Sequence, residues 1–413
     1  MISRFKKFFG GLKPEDNPNR LTFDPQDQAF VDNPYPCYEY LRQNDPLHRT
    51  EDGFFVLTRY ADVQKALSEA KLTNEPSPYS VVGKRNVDRF VSANVASNIL
   101  PYLAGVQHQD LRKLLGRAFH DQVRRNPPDL EGIAKSILAS FKPDQEIDIL
   151  KDFATPYSIR VISSLLGIPE KDENQLKDWS HSFFYLFAKI PSVEIRKKID
   201  DDLKDFRNYF SRQLKNLRKN SEDSFMGALV KLQESESELE DSAIIDNLML
   251  FFADGVENVD RGIASGLFLI HQTPQAWADL CSYPEKVTDY VDECLRLESP
   301  AQYVARVAKE EFIWDGVRVP QWSPFLLVLG SANRDETVFA DPLHFYPNRK
   351  PNPYLSFGKG KHSCIGGHLV SLEMQAAFRV LVENFPEMQI QQSSLNWEMR
   401  PAHRWPEKLM VRL

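Results

Sequence analysis

A mainly helical fold with a minor β-rich portion is predicted for this 413-residue chain. The first reason is the stretch from Ser242 to His271, roughly thirty residues without a proline and long enough as a helix to cross a whole domain. The second is the region from Gly105 to His271, which reads as helix after helix, interrupted at Pro127-Pro128, Pro143 and Pro191. The third is a change of character beyond Pro300, where short strand-like runs and turn residues take over. There is no internal repeat, low-complexity tract or linker. A flexible basic tail over 1–20 followed by a single domain over 21–413 is therefore expected.

In chain order, Met1 to Lys13 sets Ile2, Phe5, Phe8, Phe9 and Leu12 among Arg4, Lys6, Lys7 and Lys13. This weak basic amphipathic pattern lacks the apolar core of a signal peptide and reads as a frayed tail, with a membrane-surface or partner-docking helix as the alternative. Asn33-Pro34-Tyr35-Pro36 opens a short helix ending near Gln43, Gly53 to Thr58 reads as a strand, and Asp62 to Ala70 as a helix. Pro76 to Gly105 is expected to be an irregular, mobile loop over a pocket. Phe312 to Val319 is a hairpin around Asp315-Gly316, Phe325 to Leu329 is another strand, and the segment from Met388 alternates as a small sheet would.

The long helix carries Asp246, Asp254, Glu257, Asp260 and Arg261 in its interior, which excludes it as a membrane span. No other run approaches the ~20 apolar residues a span needs. A net charge of −7, with no block of Lys or Arg, argues against nucleic acid as a partner. Cys37, Cys281, Cys294 and Cys364 lie far apart, without metal-type spacing, and read as reduced thiols of a cytoplasmic protein.

The residues from Leu355 to Glu373 hold the chain's strongest chemical signal. Gly358 and Gly360 end a strand-like approach in a tight turn, and Cys364 follows it. Ile365, Leu369, Leu372 and Ala376 then recur at helical spacing, so a buried helix starts at the sulfur. A thiol at a helix N-terminus is expected to be biased toward thiolate by the unpaired N–H groups. One soft anionic ligand on a rigid turn suits an axial bond to haem iron.

The pattern Phe357-Gly358-x-Gly360-x-His362-x-Cys364-x-Gly366 resembles the cysteine-ligand loop of the cytochrome P-450 superfamily of haem-thiolate monooxygenases. The resemblance implies a triangular helical prism around haem b, with the long central helix above the iron. It also implies that Cys364 is the axial metal ligand, with Phe357, Gly358 and Gly366 shaping the cofactor loop. His108 and Arg112, four apart on one helical face, resemble the family's propionate-binding pair, and Arg306 and His362 are further expected donors. Glu293 and Arg296 match the family's Glu-x-x-Arg motif, with Arg349 as the third, structural member.

Asp254-Gly255-Val256-Glu257-Asn258 aligns with the family's Ala/Gly-Gly-x-Asp/Glu-Thr segment. The resemblance makes Glu257 the acid of a proton relay, and Gly255 an opening for dioxygen and substrate. Asn258 stands where threonine is usual, and its amide would hold a water or hydrogen-bond the bound oxygen. Asp254 replaces a small residue. Facing inward, it would call for a cationic or donor-rich substrate, and facing outward it would be a solvated carboxylate. Phe252, Asp254, Gly255, Gln302, Val304, Pro401 and Ala402 are the expected substrate contacts. The aromatic run Trp179, Phe183, Phe184, Tyr185 and Phe187 is read as core before binding wall.

The resemblance implies a monooxygenase that uses dioxygen and two electrons to oxidise a mostly apolar small molecule, with secondary metabolism as the setting. No flavin or iron–sulfur motif is present, so a ferredoxin-type donor with its reductase is the expected partner. Lys113, Arg117, Lys359 and Lys361 would offer it a positive surface. The missing threonine keeps a peroxide-driven or non-oxygenating haem-thiolate enzyme open, and a haem sensor or ligand carrier is a third reading.

Overall fold

The computed structural model describes residues 22–187, 193–220, 222–236 and 239–413. The expected basic tail and Pro191 lie outside them. The first half gives α1 (Gln28–Asp32), α2 (Tyr35–Asn44), α3 (Tyr60–Ser68), α4 (Val91–Ala96), α5 (Gly105–Arg125), α6 (Leu130–Leu138) and α7 (Thr155–Leu166). Next come α8 (Glu173–Phe183), α9 (Val193–Leu217), α10 (Phe225–Glu236) and α11 (Asp241–Gln272). The helices end with α12 (Ala276–Ser282), α13 (Val287–Leu297), α14 (Leu329–Ala332) and α15 (Gly367–Asn384).

The central helix α11 has 32 residues, about 48 Å at 1.5 Å per residue. It packs against α7, α8, α9, α13 and α15, so almost every face is covered by protein. That explains a helix apolar nearly all round, with Leu248, Phe252, Val259, Ile263 and Leu267 fully buried. One cluster of the core lies between α11 and helices α5, α7, α8, α9 and α10, and another lies between α11, α6, α13 and α15.

A five-stranded sheet flanks this helical body. Its strands are β1 (Leu47–Arg49), β2 (Phe55–Leu57), β3 (Leu72–Thr73), β5 (Tyr303–Ala308) and β8 (Pro324–Val328), in the order β1-β2-β8-β5-β3. Only β2 and β8 run parallel. The predicted hairpin is β6 (Phe312–Trp314) with β7 (Val317–Val319), turning through Asp315 and Gly316 at φ 46° and 82°. The C-terminal strands β9 (Gln389–Ile390) and β10 (Met410–Arg412) do pair, but β10 also takes β4 (Glu146–Asp148) on its other side.

The expected mobile loop between Pro76 and Gly105 is a correction. Ala93, Val95, Ala96 and Ile99 are fully buried there, α4 packs on α9, and Asn247 of α11 accepts from the Leu100 N–H at 2.9 Å. Its polar sequence hides short apolar runs that find partners only in the folded molecule.

Candidate active site

Cys364 is positioned by its own turn. Gly358 and Gly360 adopt φ of 66° and 76°, a region costly for side-chain-bearing residues, and a single 3₁₀ turn spans Gly360–His362. The Cys364 N–H donates to the Phe357 carbonyl at 2.8 Å, closing the loop. The Phe357 ring lies under the start of α15, where a Cβ on Gly367 would come within 3.1 Å of it.

The Gly366 and Gly367 N–H groups point at the sulfur. Burial nevertheless outweighs them, and with help from Asp254 pushes the thiol up to about 11. The expectation that the helix terminus favours thiolate is thus corrected: in the protein alone the desolvation cost wins, and ionisation needs a cation on the sulfur. The sulfur is enclosed by protein yet accessible to a water-sized sphere, so it opens onto an interior space.

Beside it lies a cluster of positive and imidazole groups drawn from three segments. His108 and Arg112 come from α5, Arg306 from β5 and His362 from the cysteine turn. The His108 and His362 rings lie 4.0 Å apart, and Arg112 donates to the Ser363 carbonyl at 2.8 Å. Arg306 is buried, bonds among the described residues only to a carbonyl, that of Ala305 at 2.8 Å, and is lowered to about 10 by burial. Among the described residues none of the four meets a carboxylate, and His108 Nε2 is buried without a partner. A donor set of this kind is completed by an anion. It fits the two carboxylate tails of haem, with Cys364 offering the metal a soft ligand.

His108 is pushed down to about 4 by burial, then by Arg112 and Lys361. An unfolded histidine titrates near ~6.5. Between those values the unfolded chain binds a proton that the folded one refuses, so stability falls as pH drops through this window. Unfolding of the haem-free protein at pH 7 and pH 5 should show that loss, and His108→Gln should make it smaller. Equal acid sensitivity in the variant would contradict this.

On α11, Asp254 opens onto the same interior as Cys364: its charge acts on the thiol, and it is accessible although surrounded by protein. Gly255 is a correction. A Cβ there would come within 2.8 Å of Ile162, so the glycine lets α7 approach α11 instead of opening the pocket. Phe252 is also corrected: its ring is fully buried on the other side, edge-on to Phe206 of α9 at 6.0 Å. Residues 252 and 254 are about 200° apart around a helix, so they cannot share a face.

Glu257 is buried at the edge of the helix. The Ser180 hydroxyl donates to it at 3.3 Å, and His181 of α8 and Arg261 lie 3.8 Å away. Burial raises its carboxyl most, but His181, Arg261 and Arg400 together hold it below the ordinary carboxylate range. A surface cavity of about 570 Å³, lined among others by Lys177, His181, Lys198 and Arg261, reaches this carboxylate from solvent. Asn258 is engaged: its Oδ1 accepts from the Trp405 indole N–H at 3.2 Å, so that lone pair is not available to a bound water.

The other expected contacts divide. Gln302 is corrected: its side chain donates to the Ser299 carbonyl at 2.8 Å and lies against Gly330, buried behind the wall. Val304, Pro401 and Ala402 are half-buried. The Ala402 carbonyl accepts from the Gln302 N–H at 2.7 Å, fixing the last loop against β5. Phe183 and Phe184 are core, with Phe184 edge-on to Trp405 at 5.1 Å. His181, Arg400 and Trp405 were missed. Each is an ordinary residue in its own segment, and only their meeting at Glu257 and Asn258 marks them.

The supporting triad forms as expected. Glu293 takes both Nε and Nη2 of Arg296, at 2.8 and 2.7 Å, and Nε of Arg349 at 3.1 Å. Arg296 also binds the Asn333, Pro342 and His344 carbonyls, so the irregular chain before the cysteine loop is held to α13.

An inward-facing sulfur on a glycine turn, an anion-receptive cluster beside it and a long helix overhead define a haem-thiolate protein. A family profile described as Cytochrome P450 matches residues 286–404. The polyketide biosynthesis cytochrome P450 PksS of Bacillus subtilis is 29% identical over 413 aligned positions, 95% of this chain and 99% of that one. The biotin biosynthesis cytochrome P450 of the same organism is 29% identical over 90% of this chain and 93% of its own. The solved structure of P450BioI in complex with a hexadecenoic acid-ligated acyl carrier protein superposes with a TM-score of 0.86 at 26% identity, covering 94% of this chain and 99% of that one.

Along nearly its whole length the chain is thus similar to bacterial cytochrome P450s, and these findings support a cytochrome P450. It is accordingly a monooxygenase that binds haem b and takes dioxygen, a substrate and electrons from a redox partner. No helix among the described residues is long and apolar enough to cross a membrane.

Proposed function

We propose that this monooxygenase oxidises a mostly apolar small molecule of secondary metabolism, with Cys364 as the residue that would ligate the haem iron and electrons from a ferredoxin-type donor. The observation that carries the reading is the anion-receptive cluster beside an inward-facing sulfur. Haem, when bound, supplies the activation of dioxygen. His108, Arg112, Arg306 and His362 would hold its propionates, and Phe357, Gly358 and Gly366 shape the sulfur's cradle. The exposed Lys113, Arg117, Lys359 and Lys361 offer an acidic electron donor a positive surface. Polyketide biosynthesis in the name of PksS supports secondary metabolism as the setting.

Glu257 passes protons from the solvent cavity toward the site, with His181 at the entrance. Asn258, tied to Trp405, positions rather than relays. Glu257→Gln should slow product formation by about 10²-fold, the scale of a lost general acid, and flatten the pH–rate profile. A rate within threefold of wild type would remove Glu257 from the relay. Reductase-dependent incorporation of labelled dioxygen into product tests the reading as a whole. Turnover with peroxide alone, or ligand binding without turnover, would overturn it.

A further inference from the structure

The geometry points to Asp254 as the anchor for a positively charged substrate, an organic ammonium or amidinium carried on an apolar frame. This deepens the monooxygenase reading and rests on it. The other carboxylates on the buried middle of α11 have partners. Asp246 receives two bonds from Arg207 and one from Asn98. Glu257 has His181, Arg261 and Ser180, and Asp260 has Arg261 and Thr155. Asp254 is given no hydrogen bond or ion pair by the described residues, and no cation among them acts on it.

Its surroundings make that isolation costly. The neighbouring Leu250 and Ala253 are core residues, and the Asp254 carboxyl is raised to about 7 by desolvation alone. The one face it leaves open is the interior space it shares with Cys364. Arg112, Arg306, His108 and His362 stand by the cysteine turn, where the haem carboxylates would engage them. The carboxylate above is left for whatever enters the space. A cation there restores the ionised form and offsets the burial cost, whereas a neutral apolar ligand leaves the acid unpaired. Recognition therefore discriminates by charge, with the apolar wall supplying most of the contact area.

The test uses the haem-loaded protein and a matched probe pair: a quaternary alkylammonium, which cannot ligate iron, and its neutral isostere with carbon in place of nitrogen. Dissociation constants are taken by equilibrium dialysis, with the Soret shift as a second readout. Wild type should bind the cation at least about 10-fold more tightly, as a poorly solvated charge pair allows. Asp254→Asn should abolish the preference while keeping the wild-type haem spectrum, and Asp254→Glu should retain part of it. Equal affinities in wild type, or an undiminished preference in Asp254→Asn, would overturn the assignment. A wild-type carbon monoxide spectrum without the thiolate band would instead defeat the haem-thiolate reading, and the dialysis result would still judge Asp254.

Discussion

Cys364→Ser is expected to give a folded, haem-binding protein whose reduced carbon monoxide adduct lacks the long-wavelength Soret band, with monooxygenase activity at background. The loop survives because its closing bonds are made by backbone: Cys364 N–H to the Phe357 carbonyl, and Gly358 N–H to the Leu355 carbonyl, both at 2.8 Å. Serine therefore keeps the turn and changes only the donor atom. Thiolate character is what promotes cleavage of the O–O bond, and an alcohol cannot supply it. The buried thiol itself already resists ionisation, at about 11, and a serine hydroxyl there resists far more. Retention of the band in the variant would mean that another sulfur binds the metal.

Glu293→Ala should cost about 3–5 kcal/mol of stability, the usual penalty for leaving buried charges uncompensated. Glu293 and Arg296 are both fully buried, and the carboxylate also accepts from the Tyr346 N–H at 2.9 Å and from Asn352 at 3.2 Å. Removing it strands two guanidinium groups inside the protein. Asn333, adjoining the same cluster, accepts from the Leu355 N–H at 2.6 Å, so the damage should reach the cysteine loop and loosen haem. Urea unfolding of the haem-loaded protein, with haem release followed in parallel, measures both effects. Lys350→Ala breaks only an exposed pair with Asp289 and serves as the control that should change little. A Glu293→Ala loss as small as the control's would show the triad to be dispensable.

Much of this site is legible in the chain because its parts are local. The turn at Gly358 and Gly360, the helix starting after Cys364 and the Asp-Gly hairpin each depend on neighbours within a few residues. The i, i+4 pairing of His108 with Arg112 needs only a helix. What escapes is direction. Phe252 and Asp254 are two positions apart, and nothing in their own segment says which faces the core and which the active space. Gln302 resembles a pocket residue until β5 and α14 are in place and its amide is taken by the Ser299 carbonyl.

Apolar periodicity, proline positions and turn residues are short-range constraints, and from them follow the helical class, the long central helix and the sulfur's turn. The rotation of α11 about its axis answers to other forces, because α7 and α9 must interdigitate with it. Ile162 filling the space beside Gly255 fixes that phase, and with it the inward aim of Asp254. The meetings of His181 with Glu257 and of Trp405 with Asn258 join segments more than 70 and 140 residues apart. Such contacts exist only after the core has closed, since no nearby residue holds either partner in place.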